Sequence, residues 1–283
     1  MVVRRHPISK LKLGRSFLAS LPIFLWIILI TSIISIIGFI IFSFAPSFAD
    51  YIVLIPQNIF NGSTVWTLIA HMFFHANFLH LFVNMFSLFF IGSVCETIVG
   101  RKRFFWFYIT AGLFGGIFFI LSAYLGSLTG LVSVLGDMDL AGVGASGAIF
   151  GLLGILAVII PRKKVYLIAG PIIIIILQVI LPVFLTGNIL NIIDVILTIL
   201  IIAMIFSLFY PSEGLRKLAL PIGMPLWIAP IIAIVPLVLI SFFIPLPIGN
   251  SAHFGGLVAG LIYGTYLRFN YPRKVEMIGK YFR

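Results

Sequence analysis

The sequence is poor in charge. Only 9% of its 283 residues are Asp, Glu, Lys or Arg, and 62% are hydrophobic. An ordinary soluble domain carries about 25% charged residues, so a globule of this size would lack the polar side chains to cover its surface. That scarcity argues against a soluble enzyme, a disordered chain and a nucleic-acid binder. Cysteine is scarcer still. The single Cys95 excludes an internal disulfide and a cysteine-based zinc site. Acidic residues are few as well, with 7 Asp+Glu against 18 Lys+Arg for a net +11. No Pro/Ser-rich linker and no polar stretch of domain size interrupts the chain, which implies one domain. What remains is an all-α polytopic membrane protein.

A helix needs about 20 apolar residues to cross about 30 Å of hydrocarbon. Long, nearly uncharged runs occupy residues 17–43, 77–99, 104–125, 145–160, 165–185, 189–210, 220–244 and 252–269. Such runs are apolar all round, so periodicity says little and charge sets the boundaries. The count is about eight spans. Pro171, Pro182, Pro225, Pro230 and Pro236 break the pattern in the later ones.

Lys and Arg collect on the cytoplasmic side of membrane helices. Here all 18 fall into five groups, at residues 4–15, 101–103, 162–164, 216–217 and 268–283. With eight alternating spans, every group lies on one side. The opposite loops, about 44–76, 126–144, 186–188 and 245–251, carry only Asp50, Asp137 and Asp139 as charged residues. Both termini are then cytoplasmic, and the expected location is a prokaryotic plasma membrane. The first run is nearly twice the length of a signal-peptide core, which is about 7–15 residues, so it reads as a retained anchor. The expected division is a basic N-terminal segment 1–16, a membrane domain 17–269 and a basic tail 270–283, with lipid head groups sufficing as partners for the basic ends.

Ionisable and polar side chains are costly inside a bilayer, so each is a functional candidate. The second span and its approach carry His71, His75, His80 and Asn84, and the sixth carries Asp194. The fourth opens Gly144-Ala145-Ser146-Gly147 and the eighth opens Gly249-Asn250-Ser251-Ala252-His253. Ser146 lies 16 residues before Arg162 and His253 lies 15 before Arg268, or about 24 and 22 Å up their helices. Both sit at one level beneath the outer surface. Asn84 comes to about 26 Å by the same rise, with His80 one turn above. The fourth run is too short to cross alone, so the glycine-rich segment before it dips into the membrane, where irregular backbone must be buried or line a wet cavity.

Small residues indicate which helices touch. Gly147, Gly151 and Gly154 share a side of the fourth helix, while Gly256, Gly260 and Gly264 share the stripe that bears His253. Such faces permit close backbone approach. If they meet, Ser146 and His253 come within hydrogen-bonding reach, the requirement for a serine activated by a general base.

The Gly144–Gly151 segment, the His80-xxx-Asn84 pair and the Ala252–Gly256 segment together resemble the rhomboid intramembrane serine proteases, over roughly residues 60–160 and 220–269. The resemblance implies a Ser/His dyad with Ser146 as nucleophile and His253 as base, His80 and Asn84 in the oxyanion hole, no cofactor, and transmembrane protein substrates. His75 and Trp66 match positions that the family uses for structure around its first outer loop. Thr67 stands where many members have Arg after the tryptophan, which bears on how that loop is anchored. Members have six or seven spans. Residues 220–244 therefore take the place of the fifth core helix, leaving 165–210 as an added hairpin outside a six-helix core.

Plainer readings stand beside these. Ser146 and His253 can serve as packing and interhelical hydrogen-bond residues. His71 and His75, spaced i, i+4, with His80 can be metal ligands, but they lack the glutamate of the H-E-x-x-H pattern, and no metal is assigned. Asp194 is read as reaching interfacial water or a polar neighbour, Glu96 as meeting the basic cluster at 101–103, and Cys95 as an inert buried thiol. The rival functions are a catalytically silent binder of membrane proteins and a transporter. A binder does not need Ser146, His253, His80 and Asn84 together, and a transporter predicts matched broken helices in two halves.

Overall fold

In a computed structural model that describes residues 20–243 and 249–282, helices follow all eight apolar runs. They are α1 Ile23–Phe44, α2 Phe78–Val99, α3 Arg101–Thr129, α4 Ser146–Ile159, α5 Ala169–Ile180, α6 Asn188–Ser207, α7 Ala229–Ser241 and α8 Asn250–Asn270. A further helix, α9, covers Pro272–Tyr281. By length and composition α1, α2, α3 and α6 are able to cross a membrane, whereas α4, α5 and the segment Leu226–Ser241 are shorter apolar helices. Helix boundaries fall at punctuation in the sequence. Asn77 Oδ1 caps α2 by accepting the His80 backbone N–H at 2.8 Å. Gly100, at φ +86, makes the sharp break between α2 and α3.

The core forms around α4. Ala148, Leu152 and Ile155 on this helix are wholly buried. They belong to one cluster with Leu88 of α2 and with Phe104, Tyr108 and Ala111 of α3. Helix α8 lies along another side of α4, and α7 touches both. Helices α5 and α6 stand apart from this centre. Ile174, Ile201 and Ile205 pack on Leu79, Phe82 and Phe86, on the outer side of α2. The six-helix core with an added hairpin is therefore α1–α4, α7 and α8, with α5–α6 outside.

The structure departs from the sequence reading at several points. The fifth run opens as a strand: β1, Lys164–Ile168, pairs antiparallel with β2, Pro221–Pro225, from Lys164↔Pro225 to Ile168↔Pro221. A short apolar run is ambiguous between helix and strand, and an isolated pair of edge strands accommodates the prolines. The basic tail, read as needing no partner beyond lipid head groups, packs on the protein as helix α9. Val275, Ile278 and Phe282 pack against the core cluster, and Lys163 Nζ lies 4.8 Å from the centre of the Phe282 ring. Arg103 sits 5.4 Å from the Tyr271 ring, which gathers three basic groups at one end of the bundle. The basic segment 1–16 and residues 245–248 of the last outer loop lie outside the described residues.

Glu96 does not meet the cluster at 101–103. Its carboxylate accepts the backbone N–H groups of Ile23 at 2.9 Å and Phe24 at 2.8 Å. The first N–H groups of a helix have no partner within it, and a buried carboxylate at the start of α1 satisfies two of them. Asp194 finds a polar neighbour as expected: Gln178 Nε2 donates to its Oδ1 at 2.7 Å and to Thr198 Oγ1 at 3.0 Å, joining α5 to α6. Cys95 is fully buried.

Candidate active site

Close packing of two glycine faces sets up the site. A Cβ built on Gly256 would collide with the Gly147 carbonyl, and one on Gly260 with the Gly151 carbonyl. One on Gly154 would come within 2.8 Å of the Leu257 carbonyl oxygen, and one on Gly264 within 3.2 Å of the Ile155 Cα. The two stripes read from the sequence are thus the α4–α8 contact. Only hydrogen at these positions lets the backbones meet.

Ser146 is the first residue of α4 and His253 the fourth of α8. The contact brings His253 Nε2 to 2.7 Å from Ser146 Oγ. The imidazole also stacks on Phe150, with ring centres 4.5 Å apart and planes at 16°. Phe150 lies one helical turn below Ser146, and the sequence reading included it in the Gly144–Gly151 segment without giving it a role. The available signal was its i, i+4 relation to the serine, which puts both on one face.

The segment before Ser146 is pinned from the side of the first outer loop. Leu54 and Gly142 exchange backbone hydrogen bonds at 2.9 and 2.8 Å, and the Gly144 N–H donates to the His71 carbonyl at 2.9 Å. Gly144 has φ +119, and a Cβ there would lie 2.9 Å from His80 Nε2. His80 Nδ1 accepts the Ala76 N–H at 3.5 Å. The neutral ring assigned from that bond carries its proton on Nε2, the nitrogen beside Gly144. Asn84 is buried, and its amide donates to the His80 carbonyl at 2.9 Å. The structure therefore joins Ser146 to His253 directly and sets His80 against the turn that precedes the serine. It gives one Asn84 donor to that residue's own helix.

His71 and His75 are held by protein groups. His71 Nδ1 lies 2.7 Å from the Thr67 carbonyl oxygen. Ser35 Oγ donates to the Phe73 carbonyl at 2.9 Å, so at 3.0 Å from His75 it accepts from Nδ1. His75 Nε2 then accepts the Ala145 N–H at 3.5 Å. Among the described residues no group of three His, Cys, Asp or Glu is arranged to hold a metal ion. Trp66 Nε1 donates to the Tyr51 carbonyl at 2.7 Å, which ties the first outer loop together.

Parts of the chain are similar in sequence to known proteins. The chain is 31% identical over 106 residues to Rhomboid protein 1, mitochondrial, of Saccharomyces cerevisiae, covering 38% of this chain and 28% of that protein. It is 41% identical over 91 residues to RHOMBOID-like protein 5 of Arabidopsis thaliana, covering 31% and 25% of the two chains. To Rhomboid protease GluP of Bacillus subtilis it is 33% identical over 104 residues, covering 36% and 17%. The matched stretches are thus well under half of each relative. Bacterial, plant and mitochondrial proteins stand side by side here, so the relatives do not single out a prokaryotic membrane. The family model described as Rhomboid domain matches residues 62–209, just over half of the 283 residues. This integral membrane protein belongs to the rhomboid family.

Proposed function

We propose that this chain is an intramembrane serine endopeptidase that cleaves membrane proteins in or near their transmembrane helices through a Ser146–His253 dyad. The observation that carries the reading is the 2.7 Å contact between Ser146 Oγ and His253 Nε2. His253 Nε2 takes the hydroxyl proton as Ser146 Oγ adds to the scissile carbonyl carbon. The imidazolium returns that proton to the leaving amine, and the C–N bond breaks to leave an acyl ester on Ser146. Water, deprotonated by His253, then adds to the ester and releases the acid with Ser146 restored. The sequence of steps needs no cofactor.

The oxyanion in each tetrahedral intermediate meets the Ser146 backbone N–H. That group opens α4 and has no partner within the helix. His80 Nε2–H, beside Gly144, and the Asn84 amide are the side-chain donors. Substrate and water enter from the outer side, both termini lie in the cytoplasm, and residues 17–269 act as one membrane domain.

The test is cleavage of a single-span model substrate by the purified protein in liposomes. Wild type cuts, while Ser146→Ala and His253→Ala, each folded, do not. Normal turnover by Ser146→Ala would end the serine mechanism, and loss of activity to a chelator would redirect attention to His71 and His75.

A further inference from the structure

A serine protease base needs its second ring nitrogen held as well as its first. His253 spends Nε2 on Ser146. With Nε2 accepting a proton, the neutral ring carries its hydrogen on Nδ1. That Nδ1 is buried and has no hydrogen-bond partner among the described residues. One turn earlier on the same helix, Asn250 presents the complementary group. The residue is 7% exposed, and its Oδ1 is likewise buried and unpartnered. One atom is a donor without an acceptor and the other an acceptor without a donor.

Their i, i+3 spacing makes the two residues neighbours on the surface of α8. Side chains on a helix lean toward its N-terminus and cover the turn before their own. The His253 ring thus leans over the turn that Asn250 begins. Its face is fixed by Phe150, so the ring plane is set while the second nitrogen remains to be engaged. Asn250 also borders two cavities, of about 240 Å³ beside Ser133 and Asp137 and about 570 Å³ beside Phe118 and Val238. Their space leaves the amide room to turn. Catalytic hydrogen bonds are often open in the free enzyme and close in the substrate complex.

We infer that Asn250 is a positioning residue for His253. On substrate binding its amide turns so that Oδ1 accepts the Nδ1–H, which locks the tautomer that leaves Nε2 free for the Ser146 proton. The same contact stabilises the imidazolium once that proton has moved. A neutral amide thus fills the place that a carboxylate holds in a Ser/His/Asp site. The inference rests on the dyad reading above.

The experiment compares Asn250→Leu, which has similar bulk and no acceptor, with Asn250→Asp, which keeps one, alongside Ser146→Ala. In liposomes Asn250→Leu is expected to lose about 10–10² in kcat with KM unchanged, short of the ~10⁴ that a wrong tautomer costs a Ser/His/Asp site. Asn250→Asp should recover most of that loss. The rate at which a fluorophosphonate labels Ser146, normalised to folded protein, should fall and recover in parallel, which covers the case of a poorly folding variant. Nitrogen NMR of labelled histidine should show His253 protonated on Nδ1 in wild type bound to a non-cleavable substrate peptide that forms no bond to Ser146, and a mixture of tautomers in Asn250→Leu.

Wild-type kcat and labelling in Asn250→Leu, with Ser146→Ala inactive, would overturn the role of Asn250 and leave the dyad standing. An Asn250→Asp variant no better than Asn250→Leu would also overturn it. Activity in Ser146→Ala would instead bring down the dyad itself.

Discussion

Gly260 lies two turns below His253, about 10 Å along α8 from the chemistry, and touches no substrate in the proposed mechanism. Its replacement by alanine is nevertheless expected to abolish most activity. The new Cβ would fall on the Gly151 carbonyl, which is backbone and has no rotamer to yield. Carbon atoms rest at about 3.5–4.0 Å from their neighbours, so α4 and α8 must part by about an ångström or more. That displacement travels up two stiff helices to the 2.7 Å contact of Ser146 with His253. A misplacement of about 1 Å costs about 10² in rate, and overpacking of this kind costs about 1–3 kcal/mol in stability. The assay is kcat and melting temperature on one preparation in detergent, with Gly279→Ala as control because nothing lies within 4 Å of a Cβ there. Gly260→Ala should show kcat down about 10²-fold per folded molecule and a lowered melting point, while the control matches wild type. A Gly260→Ala protein with normal kcat would refute the idea that glycine packing sets the dyad distance.

Other expectations follow from single contacts. Asn84→Ala should cut kcat by up to about 10² while remaining measurable, unlike Ser146→Ala, because in the proposed mechanism two other donors serve the oxyanion; normal kcat with a lower melting point would make Asn84 a structural residue only. Gly144→Ala should impair catalysis, since φ +119 strains an L-residue and the Cβ presses on His80; normal kinetics would show that the turn is compliant. Glu96→Ala should lower stability by about 1.5–3 kcal/mol by removing charge-assisted bonds to the start of α1, with kcat per folded molecule unchanged. Single cysteines at Ser127 and Ser212, in a Cys95-free background, should differ in labelling by an impermeant thiol reagent from outside sealed cells; equal labelling would overturn the proposed topology.

The sequence told most about those features that one-dimensional spacing controls. Depth along a helix is a count of residues from a charged end, so Ser146 and His253 could be levelled before any contact was known. Glycine spacing of three or four residues is equally one-dimensional, and the stripes that it defines are the α4–α8 interface. The Glu96 bond to Ile23 and Phe24 spans more than 70 positions and follows no period, which is why the nearer arginines looked like its partners. Strand β1 was hidden because its residues 165–168 run without a break into the apolar helix that follows them. Phe150 was given no role because an aromatic one turn from a serine is ordinary packing until the histidine ring is seen against it.

The β1–β2 ribbon also describes how the added hairpin is plumbed into the fold. Ile168 and Pro221 face each other as strand partners, so the chain leaves the core and returns to it at adjoining points. Antiparallel neighbours of this kind can be joined by a turn of two residues. In topological terms everything between them, α5 and α6 included, is one long turn on a hairpin whose ends are already sewn together. The core helices before and after it keep their relative register whatever that turn contains. Length and composition can therefore change there, from two residues to two helices, without the dyad's own scaffold having to be rebuilt.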